Sequence, residues 1–422
     1  ISSLDEIRTG GDYYLKNDIN LTDAWEMDVY GSGFLCLNGH TITGADGKDV
    51  IVNKQSLVIT DCHSGSEVGK ITHKQGETGR GILNEESAFL AMYNGCITGN
   101  TAATDNGGGV WNKSKFMMLG GSITGNSATK DAEYNGYGGG VYNEGYGTDV
   151  ACKIEGNAVI SNNSASNGGG ICNVDILLID GRATVKNNNA EHGGGVWNGG
   201  SPEDTRVTMS GDSSITGNTA TYGGGGVYTC EGYFGMEGNA RIASNSVSDG
   251  SGGGVFHSGD MFSMDGGSIT ENTGGGIFVN SRNEVRLRGK VTITGNKATT
   301  GSSTKDANYH QESNHVIEAD ELAEGSMIGI EVSYERYPRT KPTIMTNQGC
   351  KPEYFSSDSK NCAIVLYENA VALSEIKSPE ISSQPQNATV KAGETATFTV
   401  EATGTDLTYQ WQIDRNDGTG FA

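Results

Sequence analysis

Gly107-Gly108-Gly109-Val110-Trp111-Asn112 decides the fold, because near-copies of it return at 138–143, 168–173 and 193–198 and, loosened, at 224–229, 252–257 and 274–279. An earlier, degenerate copy is Gly81-Ile82-Leu83-Asn84. A second phrase runs between the copies, clearest at Ser122-Ile123-Thr124-Gly125-Asn126 and Ser214-Ile215-Thr216-Gly217-Asn218. Counted between the Val or Ile of successive copies (Ile82, Val110, Val141, Ile171, Val196, Val227, Val255, Ile277), the repeat steps by 22 to 31 residues, as in a solenoid with variable loops. The units hold Gly, Thr, Asn, Val and Ile with no helical apolar spacing, which leaves short strands and tight turns.

In the short strand Val110-Trp111-Asn112 the side chains alternate, so an inward Val110 puts Trp111 outward. The glycines before it allow a turn through positive φ with no side chain in the way. The second phrase ends in asparagine, at Asn100, Asn126, Asn163, Asn188, Asn218, Asn245, Asn272 and Asn296. Stacked about 4.8 Å apart on successive coils, these amides can hydrogen-bond into a ladder that holds register. No coil buries its apolar side alone, so stability comes from stacking and from closing both ends. The fold class is all-β, a single-stranded parallel β-helix.

The alternation of Gly-Gly-Gly-Val-aromatic-Asn with Ile-Thr-Gly-Asn resembles the right-handed β-helix surface proteins of bacteria, including those with polymorphic outer-membrane-type repeats. It is also similar to secreted, cell-wall-linked proteins of gut Firmicutes, whose β-helix opens with a phrase like Gly11-Asp12-Tyr13-Tyr14-Leu15-Lys16-Asn17-Asp18-Ile19. The likeness covers roughly residues 1–375. It implies a right-handed helix, export to the bacterial surface and an adhesin-like role, and it brings no catalytic motif.

Composition agrees with a thin-cored solenoid: Gly is 65 of 422 residues and hydrophobic residues are only 35%. A net charge of −22 argues against nucleic acid and anionic membrane as partners, since both attract Lys and Arg. No apolar run is long enough to span a bilayer, so no membrane insertion is expected. The chain opens on Ile1 with no signal-peptide pattern, as expected of a processed or trimmed chain. Eight cysteines show neither Cys-x-x-Cys nor zinc spacing, so no cofactor or metal is expected; the acidic surface is compatible with Ca²⁺. Cys36 and Cys62 are one coil apart and fit adjacent rungs, although two buried thiols are the plainer expectation. Cys350 and Cys362 flank a polar loop and would pair in an exported chain.

Four segments follow. Residues 1–80 hold the first coils, with 2–8 as a short capping helix, and 81–300 hold the regular coils. Residues 301–376 hold the final coils and a cap, with strands at 327–332 and 363–367. Residues 377–422 begin with a linker at Lys377-Ser378-Pro379. Beyond it, 390–400 and 407–412 resemble the opening strands of a bacterial immunoglobulin-like module, with Trp411 as its core tryptophan. The 44 residues from Pro379 are about half of such a sandwich, so truncation, or completion by another segment, is expected.

The position after each Val or Ile is Leu83, Trp111, Tyr142, Cys172, Trp197, Tyr228, Phe256 and Phe278. Stacked at strand spacing they form a column of rings, and aromatic faces pack on the apolar faces of sugars. The alternatives are that loop excursions bury the column or that the rings face inward. For catalysis, Glu231 and Asp260 follow the column on adjacent coils, near the ~5 Å carboxyl separation of a retaining glycosidase. Asp175 occupies a similar place, and His257 and Glu203-Asp204 would be close; solvated loop acids are the plainer explanation in a chain with 51 of them. His192-Gly193-Gly194-Gly195 imitates an oxyanion loop, but its glycines belong to the repeat and no Gly-x-Ser-x-Gly accompanies it.

The expected function is a secreted or cell-surface binding module that recognises a glycan through Trp111, Tyr142, Trp197, Tyr228 and Phe256. The alternatives are a glycoside hydrolase or lyase using Glu231 and Asp260, and a structural subunit that self-associates through the partial immunoglobulin-like segment.

Overall fold

The computed structural model describes residues 1–422 apart from 64, 66, 104, 130–135, 146–150, 201–204, 281–283, 301–302, 313–315, 333–340, 406 and 413–422. It is a parallel β-solenoid of about 11 turns. Each turn contributes one short strand to each of three faces. The first face runs from Trp25–Met27 through Val110–Asn112 to Tyr309–Gln311. The second passes through Ser32–Cys36, Phe89–Met92 and Ile176–Ile179, and the third through Thr41–Thr43, Ser122–Thr124 and Ser214–Thr216. At Tyr233–Ala243, Met261–Thr270 and Glu284–Thr294 the second and third faces merge into single long strands.

Like stacks on like inside. Val110, Val141, Ile171, Val196, Val227 and Val255 are fully buried in one file, and Ile97, Ile123, Ile160, Val185, Ile215 and Ile242 in another. The glycine triplet makes the corner before the first face. Gly107 sits at φ 69°, where a side chain is strained, and a Cβ on Gly109 would lie 2.5 Å from the Gly140 carbonyl oxygen of the next turn.

The asparagine ladder is present. From Asn100 to Asn296 each side-chain Nδ2 and each backbone N–H donates to Oδ1 of the asparagine one turn on, as from Asn163 Nδ2 to Asn188 Oδ1 at 3.0 Å. Each Nδ2 also donates to a carbonyl of the turn before. Asn308 adds a further rung, and Asp358 then receives its N–H and Nδ2 at 2.6 and 2.7 Å. At the other end His73 Nδ1 lies 2.9 Å from Asn100 Oδ1. A second ladder lies inside the first face, where Asn53, Asn84, Asn112, Asn143, Asn173 and Asn198 pass side-chain hydrogen bonds of 2.7 to 2.8 Å. It stops where Thr229, His257 and Val279 take the position.

The expected capping helix is a single 3-10 turn, Leu4–Glu6, with Ser3 and Glu6 in a capping box. Met327–Val332 does continue the solenoid. The later strand expected in the cap instead forms an antiparallel sheet, from Thr343–Gln348, Cys362–Tyr367 and Ala370–Glu375. Cys36 and Cys62 form a disulfide with Cα atoms 6.0 Å apart, contrary to the expectation of two thiols: adjacent rungs bring them within bonding reach. Cys350 and Cys362 are buried, and the Cys350 thiol contacts Asn347 Oδ1 at 3.1 Å. Beyond residue 377, Glu380–Ser383 pairs antiparallel with Glu401–Thr403. Trp411 is 61% exposed, with no second sheet over it among the described residues.

Two outcomes are expected in urea titrations. Asn188→Ala leaves the Asn163 amide groups without their acceptor in a dry interior and lowers stability by about 3 kcal/mol or more. His257 is fully buried with neither ring nitrogen paired, and burial holds its pKa down at about 4. An imidazole that folds neutral stabilises fully above its ordinary pKa of 6.5 and loses that contribution as pH falls towards about 4. His257→Leu therefore removes about 3 kcal/mol of acid sensitivity across that window.

Candidate functional site

Strand register places Leu83, Trp111, Tyr142, Cys172, Trp197, Tyr228, Phe256, Phe278 and His310 in one outward column. Leu83 and Cys172 are buried and the rings are half-buried. The column has two halves of different geometry. Tyr228, Phe256, Phe278 and His310 stack nearly parallel, with centroids 4.7, 5.2 and 5.1 Å apart and planes 4°, 19° and 4° apart. Their faces are spent on one another, so a ligand meets ring edges.

The other half is tilted. Trp111 and Tyr142 are 5.8 Å apart at 59°. Cys172 is too small to continue the column, and Tyr137 from the neighbouring corner bridges the gap, 6.2 Å from Tyr142 and 5.9 Å from Trp197 at 63°. The Trp111 indole N–H donates to Glu144 Oε2 at 2.8 Å. Arg80 and Lys113 lie 4.7 and 4.5 Å from its ring centre. Arg80 is itself fixed by Asp49 and Asp105, and its pKa is raised: burial opposes the rise, but those carboxylates outweigh it. His192 extends the aromatic cluster sideways, 5.4 Å from Tyr222 and 5.1 Å from Tyr228, and Tyr222 is 51% exposed.

The stacked half ends at a notch of about 560 Å³. Its origin is a shortened turn. Between the ladder residue and the first-face strand other turns carry a corner phrase, such as Thr219-Ala220-Thr221-Tyr222-Gly223, but between Asn272 and Ile277 stand only Thr273 and three glycines. The preceding corner, Ser248 to Gly252, forms one wall. The hairpin of Lys297–Thr300 with Ser303–Asp306 forms the other, with Gly274, Gly275 and Phe278 between them. At its back Glu331 follows His310 in the column; Glu331 Oε2 is 3.4 Å from His310 Nδ1, and Lys305 pairs with Oε1. Burial pushes the Glu331 pKa up, yet these two partners prevail and hold it below the ordinary carboxylate value.

Glu231 and Asp260 are exposed on adjacent turns past the column, with Asp260 N–H donating to the Gly232 carbonyl at 2.8 Å. His257 does not join them, because strand alternation turns it inward. Asp175 is 2% exposed, its Oδ1 accepting from Ile176 N–H at 2.7 Å. Glu203 and Asp204 lie outside the described residues. Among the described residues no cluster of His, Cys, Asp and Glu could hold a metal ion. The sequence reading missed Tyr137, His192, Tyr222, His310, Lys305 and Glu331. The signal for the notch was the shortest step of the repeat, 22 residues from Val255 to Ile277.

Comparison with protein-family models, with curated proteins and with solved structures finds no match to this chain.

Tyr137 spans the two neighbours of Cys172, which is fully buried and whose thiol burial holds in the protonated form. In native protein Cys172 is expected to resist alkylation, and Tyr137→Ala is expected to open it; peptide mass spectrometry after mild iodoacetamide treatment reads the difference.

Proposed function

We propose that this chain is a secreted or cell-surface binding module that recognises glycans on the tilted half of the aromatic strip. The contact residues are Trp111, Tyr142 and Trp197, together with Tyr137 and Tyr222, and Tyr228 and Phe256 supply ring edges beyond them. The observation that carries the reading is the tilt. Rings set 38° to 63° from their neighbours are not stacked face to face, and faces of that kind suit the apolar sides of sugars, although Arg80 and Lys113 already lie over the Trp111 ring. Glu144 and Lys113 stand beside them as hydrogen-bond partners for hydroxyls, while Arg80 is held by Asp49 and Asp105. The cross-rung disulfide supports an oxidising, extracellular setting, and the resemblance to right-handed β-helix surface proteins agrees with it. The acidic chain leaves nucleic acid out as a partner, and the reading requires no cofactor.

A glycan array probed with the wild type, Trp197→Ala and Tyr137→Ala tests this, with mass spectrometry of sugars released in parallel. Each variant is expected to bind roughly tenfold more weakly with no sugar released. Undiminished binding in both variants would remove the strip from recognition. Sugar release abolished by Glu231→Gln or Asp260→Asn would make the chain a glycosidase instead.

A further inference from the structure

The notch beside the stacked end of the column is a second place for a ligand, and none of its lining residues belongs to the tilted half of the strip. Its volume of about 560 Å³ falls within the roughly 300 to 1,000 Å³ of small-molecule sites.

Its shape comes from what the corner omits. Thr273 keeps its place in the row, bridging to Ser246 and to Lys297, and the Gly274 and Gly275 N–H groups both donate to the Lys297 carbonyl. The floor is therefore paired backbone. Gly274 and Gly275 lie at φ 92° and 98°, where any other residue is strained, so this floor carries no side chains. The longer corner from Ser248 to Gly252 and the hairpin of Lys297–Thr300 with Ser303–Asp306 stand up on either side. A bare floor between two walls leaves room for a guest ring.

The lining decides the chemistry of the guest. Glu331 is mostly buried at the back, with Lys305 on Oε1 and His310 Nδ1 3.4 Å from Oε2, and those partners keep it ionised against the effect of burial. His310 is held in turn by stacking on Phe278, with centroids 5.1 Å apart. A carboxylate offers about four acceptor positions and an ammonium three donors, so the Glu331–Lys305 pair retains capacity of both kinds. An anionic guest is disfavoured, because Lys305 is already paired and Asp249 stands across the notch. An apolar guest would strip water from Glu331 and Lys305 and return no hydrogen bonds. A neutral sugar meets both conditions, since each hydroxyl donates and accepts while the ring C–H groups are apolar.

We infer that the notch binds one neutral sugar residue, either free or at the end of a longer glycan. One hydroxyl donates to Glu331, a neighbouring hydroxyl accepts from Lys305, and the C–H groups rest against the Phe278 edge and the glycine floor. The ligand class rests on the glycan reading, while the place rests on the notch alone.

Isothermal titration and saturation-transfer NMR of the full chain test it, with free glucose, galactose, mannose and N-acetylglucosamine as probes and glucuronate and inorganic phosphate as charged controls. At least one neutral sugar is expected to bind at about millimolar strength. Thr299→Trp fills the notch from an exposed position on the hairpin, and Glu331→Gln keeps the shape while removing the charge. Each is expected to weaken binding roughly tenfold or more, with the urea midpoint of Thr299→Trp unchanged. Binding indifferent to both substitutions overturns the inference, as does preference for glucuronate or phosphate. Binding lost in Trp197→Ala but kept in Thr299→Trp would place the sugar on the strip, overturning the notch and sparing the glycan reading. Binding lost in Thr299→Trp, beside an array result indifferent to the strip variants, would uphold the notch and remove the strip. Failure of every single sugar to bind overturns the notch and leaves the strip to the array.

Discussion

The one-way passage of amide hydrogen bonds through the buried asparagines is what the remaining structure depends on. In both ladders Nδ2 of one turn donates to Oδ1 of the next, so every link points along the axis in the same direction. A file of aligned amides leaves an unfilled acceptor at its start and an unfilled donor at its end, the reverse of a helix, whose start leaves donors and whose end leaves acceptors. The longer ladder meets both needs, with the His73 ring at the acceptor end and the Asp358 carboxylate at the donor end. A slip of one residue would turn a buried amide outward and an exposed Thr or Trp inward, so register is held turn by turn. With the ladder positions fixed, the corners between them are free to vary in length.

That freedom separates what could be read in the sequence from what could not. The ladder asparagines, the Val and Ile interior and the outward column were legible, because alternation in a three-residue strand and a repeated phrase leave one arrangement. The second ladder was not anticipated, although the same alternation implies it: with Val110 inward and Trp111 outward, Asn112 is inward and needs a partner. The ends were not legible, since Asp358 is 50 residues from the asparagine it receives and lies outside any repeat. Cys36 and Cys62 were placed on adjacent rungs by spacing, but spacing does not say whether two thiols are oxidised. In the candidate site, the residues of the column could be enumerated while the attitude of each ring could not. Tyr137 enters from a corner of irregular length, and only packing reveals that its ring meets both Tyr142 and Trp197, the neighbours of Cys172.

Ring attitude is where packing turns into function. From Tyr228 to His310 planar side chains on successive turns settle face to face, so their faces are covered by one another and this part of the column is a supporting element. A single small residue, Cys172, breaks that regularity, and the rings around it are tilted rather than stacked. The shortened corner after Thr273 alters the backbone in its turn and leaves a notch beside the column. In a solenoid each turn is stabilised by its neighbours, so one turn can be altered in its corner or its outward residue while the ladders keep the stack intact. The places that depart from the repeat are therefore those where a binding surface can arise at small cost to the fold. Here two such departures are Cys172, within the aromatic column, and the Thr273 corner, beside its stacked end.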